Sequence, residues 1–177
     1  MINPYSKNII FFDTEFSSLD IKKGEILSLG FIKLNGEELY LELDFNGEVD
    51  EWPKNNILPN LVQDKVNWEE SIRQIINFVG NDKPYVVAYI NQFDMAYFYK
   101  LFGLDNFNDK FNWIPIDFAS ILFSLNINPE ILSERENSFF DKLGIDLSKY
   151  VQHNALEDAK LLREIYLKIS FFEMRRK

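Results

Sequence analysis

Cysteine is absent from the 177 residues, which removes disulfides, thiolate metal sites and a cysteine nucleophile together. Histidine is nearly absent: His153 stands alone, so no multi-histidine metal site can form and at most one imidazole base is available. A GxSxG elbow, a GxGxxG loop and a GxxxxGKS/T loop are missing too. Any catalysis therefore falls to carboxylates, helped at most by that imidazole. No apolar run approaches the ~20 residues of a membrane span, and Met1 to Lys7 carries no charged stretch leading into an apolar one. The expectation is a cytoplasmic chain with no membrane partner. Nothing rich in Gly, Ser or Pro divides the sequence, so residues 1–177 read as one domain. Positive charge is short: 19 Lys and Arg against 28 Asp and Glu leave a net −9. Nonspecific coating of nucleic acid rests on neutralised phosphates, and this chain is ill suited to it. A protein that grips a few phosphates through metal ions stays open.

What is present is a large apolar complement, 46% of residues with 17 Phe, enough for a packed globular core. Ile9 to Phe12 reads as a buried strand, Glu25 to Leu34 and Glu37 to Asp44 as two more, and Asn35-Gly36 as a two-residue hairpin turn between them. These three form an antiparallel meander. Phe45 to Val66 is expected to be irregular. Asn67 to Val79 has helical periodicity, Tyr85 to Ile90 is a short buried strand, and "FDMAYFYKLFG" is a helix ending at Gly103. "NWIPIDFASILFSL" reads as a short strand entering a helix with Asp117 near its start, Asn126 to Asn137 as loop, and about Ala155 to Met174 as the last helix. A meander followed by alternating helices and strands makes an α/β fold, a mixed sheet flanked by helices.

Within "NIIFFDTEFSS", Asp13 and Glu15 lie two apart and project to one face if the strand runs through them. Such a pair repels unless a cation intervenes, and no Lys or Arg lies between Lys7 and Lys22. An isolated D-x-E is ordinarily a solvated strand end. Asp94 falls in the first turn of the next helix if Asn91 caps it, a common place for a carboxylate. In "QHNALEDAKLL", Asn154 followed by Glu157 resembles a capping box, which makes Ala155 the first helical residue. His153 and Asp158 then face each other across the helix start in the positions of a hydrophobic staple.

"FFDTEF", "NQFD" and "HNALEDA", in that order, resemble the DEDD superfamily of 3′ to 5′ exonucleases, in the subgroup with a histidine in its last motif. The chain is most similar to small bacterial exoribonucleases that prefer adenylate-containing RNA, which also begin with D-T-E-F and carry an aliphatic-Leu-Pro-x-Leu element, here "ILPNL" at Ile57 to Leu61. Oligoribonuclease and ribonuclease T are more distant. The resemblance implies a ribonuclease H-like fold, in which the meander is joined by parallel strands. It implies metal-binding roles for Asp13, Glu15, Asp94 and Asp158, and a general-base role for His153. Clustered carboxylates are tolerable when they hold cations, and two Mg²⁺ or Mn²⁺ ions roughly 3.5–4 Å apart can activate a water and stabilise a leaving oxygen. The implied partner is the 3′ end of single-stranded nucleic acid, RNA ahead of DNA, and a homodimer is admitted. Phe16 would lie near the terminal nucleotide, with Trp52 and Tyr89 as weaker stacking candidates; in a chain this rich in Phe, core packing explains Phe16 equally well. Where many members have His-Asn before the second Asp, this chain has Tyr89 and Ile90. The terminal "MRRK" is expected to be a solvated basic tail.

Two rivals remain in view. A haloacid dehalogenase-type phosphatase also places Asp after a buried strand but needs D-x-D, and this chain has D-T-E. A ribonuclease H-like module that binds without cutting would lack one of the metal carboxylates, and none is missing.

Overall fold

The computed structural model describes residues 4–172. Its centre is a five-stranded mixed sheet of β1 (Ile9–Phe16), β2 (Ile26–Lys33), β3 (Glu38–Glu42), β4 (Tyr85–Ala88) and β5 (Ile116–Asp117). The spatial order is β3-β2-β1-β4-β5. The first three strands are the expected antiparallel meander, and β4 and β5 extend it in parallel from the free edge of β1. The Asn35-Gly36 turn has three residues rather than two: Lys33 donates its N–H to the Glu37 carbonyl at 2.8 Å, enclosing Leu34, Asn35 and Gly36. Gly36 has φ 98, the left-handed position that such a loop requires of its last residue.

The helices are α1 (Glu51–Asn56), α2 (Trp68–Val79), α3 (Gln92–Phe102), α4 (Leu104–Lys110), α5 (Phe118–Ser124), α6 (Asn137–Leu143) and α7 (Ala155–Phe172). None among the described residues is long and apolar enough to cross a membrane. α7 starts at the residue its cap predicts; Met174 and the basic tail lie outside the described residues. The Phe45 to Val66 connection is more ordered than expected, holding α1 and a 3-10 turn at Leu58–Asn60. Its anchor is long-range: the buried Glu42 carboxylate accepts the N–H groups of Val62 and Gln63 at 2.9 and 3.0 Å. The helices α4 and α6 were not expected either. Each spans seven residues, too few for a periodic signal, and each is held by what it buries, Phe107 in one and Phe140 with Leu143 in the other.

Strand alternation sorts the core into two layers. Ile10 and Phe12, with Phe31 of β2, meet α2, α3 and α4 in an aromatic layer where Phe98 touches the rings of Phe12, Phe31, Phe102, Phe107 and Phe111. Ile9 and Phe11, with Ile32, meet the largely aliphatic faces of α5, α6 and α7. Burying each such side chain is worth ~1.5–3 kcal/mol, so both layers clamp β1 firmly.

Candidate active site

β1 does run through the carboxylates, pairing Asp13 with Gly30 and Glu15 with Ser28, and its bulge comes only after Glu15. Alternation therefore puts Asp13 and Glu15 on the α7 side, and Thr14 on the α3 side. Gly30 explains how α7 comes so near. A Cβ at Gly30 would lie 2.3 Å from the Ala155 carbonyl carbon and oxygen, so the helix start rests directly on β2 beside Asp13. A glycine inside a strand often marks such an approach, and this was the available signal for its role.

Asn154 caps α7, its Oδ1 accepting the Glu157 N–H at 3.1 Å. Glu157 pairs with Lys160 at 3.1 Å rather than with the cap, so the box is closed from one side. His153, at φ 60, takes a left-handed turn, and its N–H donates to Asp158 Oδ2 at 2.9 Å. The expected encounter between these two residues is thus made through the histidine main chain. Trp52 of α1 sets its ring edge-on to the imidazole, with centroids 4.8 Å apart, and Asn60 Nδ2 lies 3.4 Å from the Gln152 carbonyl oxygen.

From the other side of the sheet, α3 delivers Asp94 in its first turn. Asp94 Oδ1 accepts both the Thr14 N–H at 2.9 Å and the Thr14 hydroxyl at 2.7 Å. The residue between Asp13 and Glu15 thereby ties the third carboxylate to the strand that carries the first two. Nothing in the local sequence marks Thr14 for this, because its partner is 80 residues away.

A cavity of about 340 Å³ is lined by Asp13, Glu15, Asp94, Asp158 and His153. Ligand atoms of Glu15, His153 and Asp158 lie within 4.8 Å of one another, close enough for one cation. Among the described residues lining this cavity, Arg135 is the only Lys or Arg, and its Nη2 donates to Asp158 Oδ1 at 2.9 Å. One guanidinium against four carboxylates leaves an electrostatic deficit. Burial, then the charges of Asp94, Glu15 and Asp158, push the Asp13 carboxyl well above the usual range. Burial and the charges of Asp158 and Asp94 push Glu15 up to about 8. Asp94 rises to about 6 by burial, held back by its Thr14 hydrogen bonds. Asp158 also rises to about 6 by burial, held back by Arg135 and the His153 N–H. Burial and the nearby Arg135 push the His153 imidazole below its ordinary value, favouring its neutral form.

Phe16 lines the cavity and is stacked on Tyr97 at 4.6 Å between centroids, so one ring serves both wall and core. Tyr89 lines it as well, its hydroxyl donating to the Pro129 carbonyl at 2.6 Å and lying 3.0 Å from Ser133 Oγ. Arg135 was not anticipated, since it sits in a stretch read only as loop.

No family model matches the chain. DNA polymerase III subunit epsilon of Haemophilus influenzae is 24% identical over 181 residues, covering 94% of this chain and 68% of that protein. Among solved structures, the RNase domain of the yeast Pop2 protein superposes with a TM-score of 0.62 at 11% identity, over 96% of this chain and 78% of that one. A chain in the structure of the yeast NOT1 MIF4G domain co-crystallized with CAF1 gives a TM-score of 0.59 at 11% identity, over 96% and 81%. These likenesses establish a ribonuclease H-like α/β fold. The chain is thus similar in sequence to the epsilon subunit, and its fold brings carboxylates from "DTE", "NQFD" and "HNALEDA" to one cavity.

Proposed function

We propose that this chain is a single-domain 3′ to 5′ exoribonuclease of the histidine-containing DEDD subgroup, releasing nucleoside 5′-monophosphates from single-stranded RNA. Asp13, Glu15, Asp94 and Asp158 would hold two Mg²⁺ or Mn²⁺ ions. The donor set suits such ions: the four are hard oxygen donors, and their raised carboxyls mark a cavity short of positive charge. When bound, the ions supply an activated water and charge stabilisation at the leaving oxygen.

The remaining work belongs to the protein. His153 accepts the proton of the attacking water on an imidazole nitrogen, a task that needs the neutral ring its surroundings favour. Asp158 holds the His153 main chain in its left-handed turn, and Trp52 braces the ring. Phe16 and Tyr89 offer aromatic surface to the terminal bases from the cavity wall, and Trp52, which does not line the cavity, offers its half-exposed ring beside the His153 imidazole. One observation carries the reading: Asp94 and Asp158, delivered by helices on opposite faces of the sheet, line the same cavity as Asp13 and Glu15 at the end of one strand. A purely structural set of carboxylates would be matched with cations, and this one has a single arginine among the described lining residues.

The RNA substrate and the adenylate preference follow the D-T-E-F resemblance. A 3′ to 5′ DNA exonuclease is the second reading, favoured by the sequence relative, which is named as a DNA polymerase subunit. End-labelled RNA and DNA oligonucleotides incubated with Mg²⁺ or Mn²⁺ separate the two. The expected result is stepwise shortening of RNA from its 3′ end, abolished by excess EDTA and by Asp13→Ala. Undiminished cleavage in either condition would sink the metal mechanism.

A further inference from the structure

We propose that Arg135 is an exchangeable counter-ion, paired with Asp158 in the cation-free site and turned to a phosphate oxygen of the terminal nucleotide when Asp158 takes a divalent cation. The inference rests on the metal-carboxylate reading above and assigns a residue that reading leaves without a task. Both oxygens of Asp158 are engaged, Oδ1 by the Arg135 guanidinium at 2.9 Å and Oδ2 by the His153 N–H at 2.9 Å. The N–H leaves a lone pair free on Oδ2 and carries no net charge. The guanidinium is different. It keeps its full charge at every accessible pH, so a cation on Asp158 would face it across a single carboxylate.

Arg135 therefore has to yield, and its position gives it somewhere to go. It stands between α5 and α6, where neither helix nor strand fixes it, while the stretch leading to it is tied to the cavity wall by Tyr89, which bonds Pro129 and lies beside Ser133. The side chain is 19% exposed and lines the cavity. The about 340 Å³ there is in the range of small-molecule sites. A planar fork of N–H donors matches phosphate as well as carboxylate, so the same group that balances Asp158 can bind the anion that arrives with the substrate. Positive charge is thus retained in the site at both stages.

Calorimetric titration of the full chain with Mn²⁺ alone, then with a nucleoside 5′-monophosphate in saturating Mn²⁺, tests this without any turnover. Arg135→Gln should bind Mn²⁺ about 5-fold more tightly, the scale of one partly exposed ion pair. It should bind the nucleoside 5′-monophosphate roughly 10-fold more weakly, while the unphosphorylated nucleoside is unaffected. Arg135→Lys, which keeps the charge but not the fork, should fall between, and it preserves the test if the Gln variant does not fold. Weaker Mn²⁺ binding by the variants, or unchanged affinity for the monophosphate, would make Arg135 a structural brace and overturn the proposal. Failure of the unmodified chain to bind Mn²⁺ would overturn the metal reading itself and this inference with it.

Discussion

Asp94 and Asp158 close the cavity from opposite faces of the sheet, and both carboxyls are pushed to about 6, yet they are held by different means. Asp94 is restrained by neutral dipoles: two donors from Thr14, a residue of the strand it must meet, bond one of its oxygens. Asp158 is restrained by a charge, Arg135, and by the main chain of the residue that carries the imidazole. Neutral hydrogen bonds orient a carboxylate while leaving its charge available. An ion pair cancels the charge until something displaces it. On the proposed mechanism the α3 side of the site is preset, and the α7 side is where exchange and proton transfer would take place.

The strongest blow to the α7 side should be His153→Ala. Turnover is expected to fall ~10²–10⁴-fold with Mn²⁺ affinity nearly unchanged, read by parallel rate assays and calorimetry. A large loss of Mn²⁺ affinity would instead make His153 a ligand, as its distance to Glu15 and Asp158 allows.

Gly30→Ala strikes the same side through packing alone. The new methyl overlaps the Ala155 backbone, so α7 must lift from β2 at a cost of roughly 1–3 kcal/mol, with Asp158 carried away from Asp13. Thermal melting should register the loss along with reduced activity. A variant with wild-type stability and rate would mean the helix start has slack that the close contact hides.

On the preset side the effect should be smaller. Thr14→Val removes one of two donors to Asp94 and keeps the N–H, a change of about 0.5–1.5 kcal/mol, or ~2- to 12-fold in Mn²⁺ affinity near neutral pH. Cation binding that does not respond to Thr14→Val would remove the distinction drawn between the two carboxylates.

The gentlest test is stability against pH without divalent ions. All four carboxyls are raised in the folded chain, so the stability they contribute is fully present below their unfolded values near 4. It is lost as pH rises through about 6 for Asp94 and Asp158 and about 8 for Glu15. The thermal midpoint should therefore decline across that window, and Glu15→Gln should flatten its upper end. Mn²⁺ added at pH 8 should reverse the decline, because it replaces the protons.

Local signals made part of this fold legible in the bare chain. The apolar run at Ile9 to Phe12, the alternation in "ELYLELD" and the Asn35-Gly36 turn pointed to the meander, and the Asn154 cap placed the start of α7 at Ala155. Three short motifs named the residues that the fold brings to one cavity, since each carboxylate sits at the end or beginning of an element with its own pattern. What surrounds them follows from long-range packing. Thr14 meets Asp94 across 80 residues, Gly30 makes room for Ala155, Glu42 orders the segment ending at Gln63, and Arg135 reaches Asp158 from a stretch with no regular structure. None of these pairings leaves a periodicity or a local cap to read. The first three exist because a β-strand presents alternate residues to opposite layers and the last because a loop reaches α7, and what waits at each place is settled by packing the whole chain.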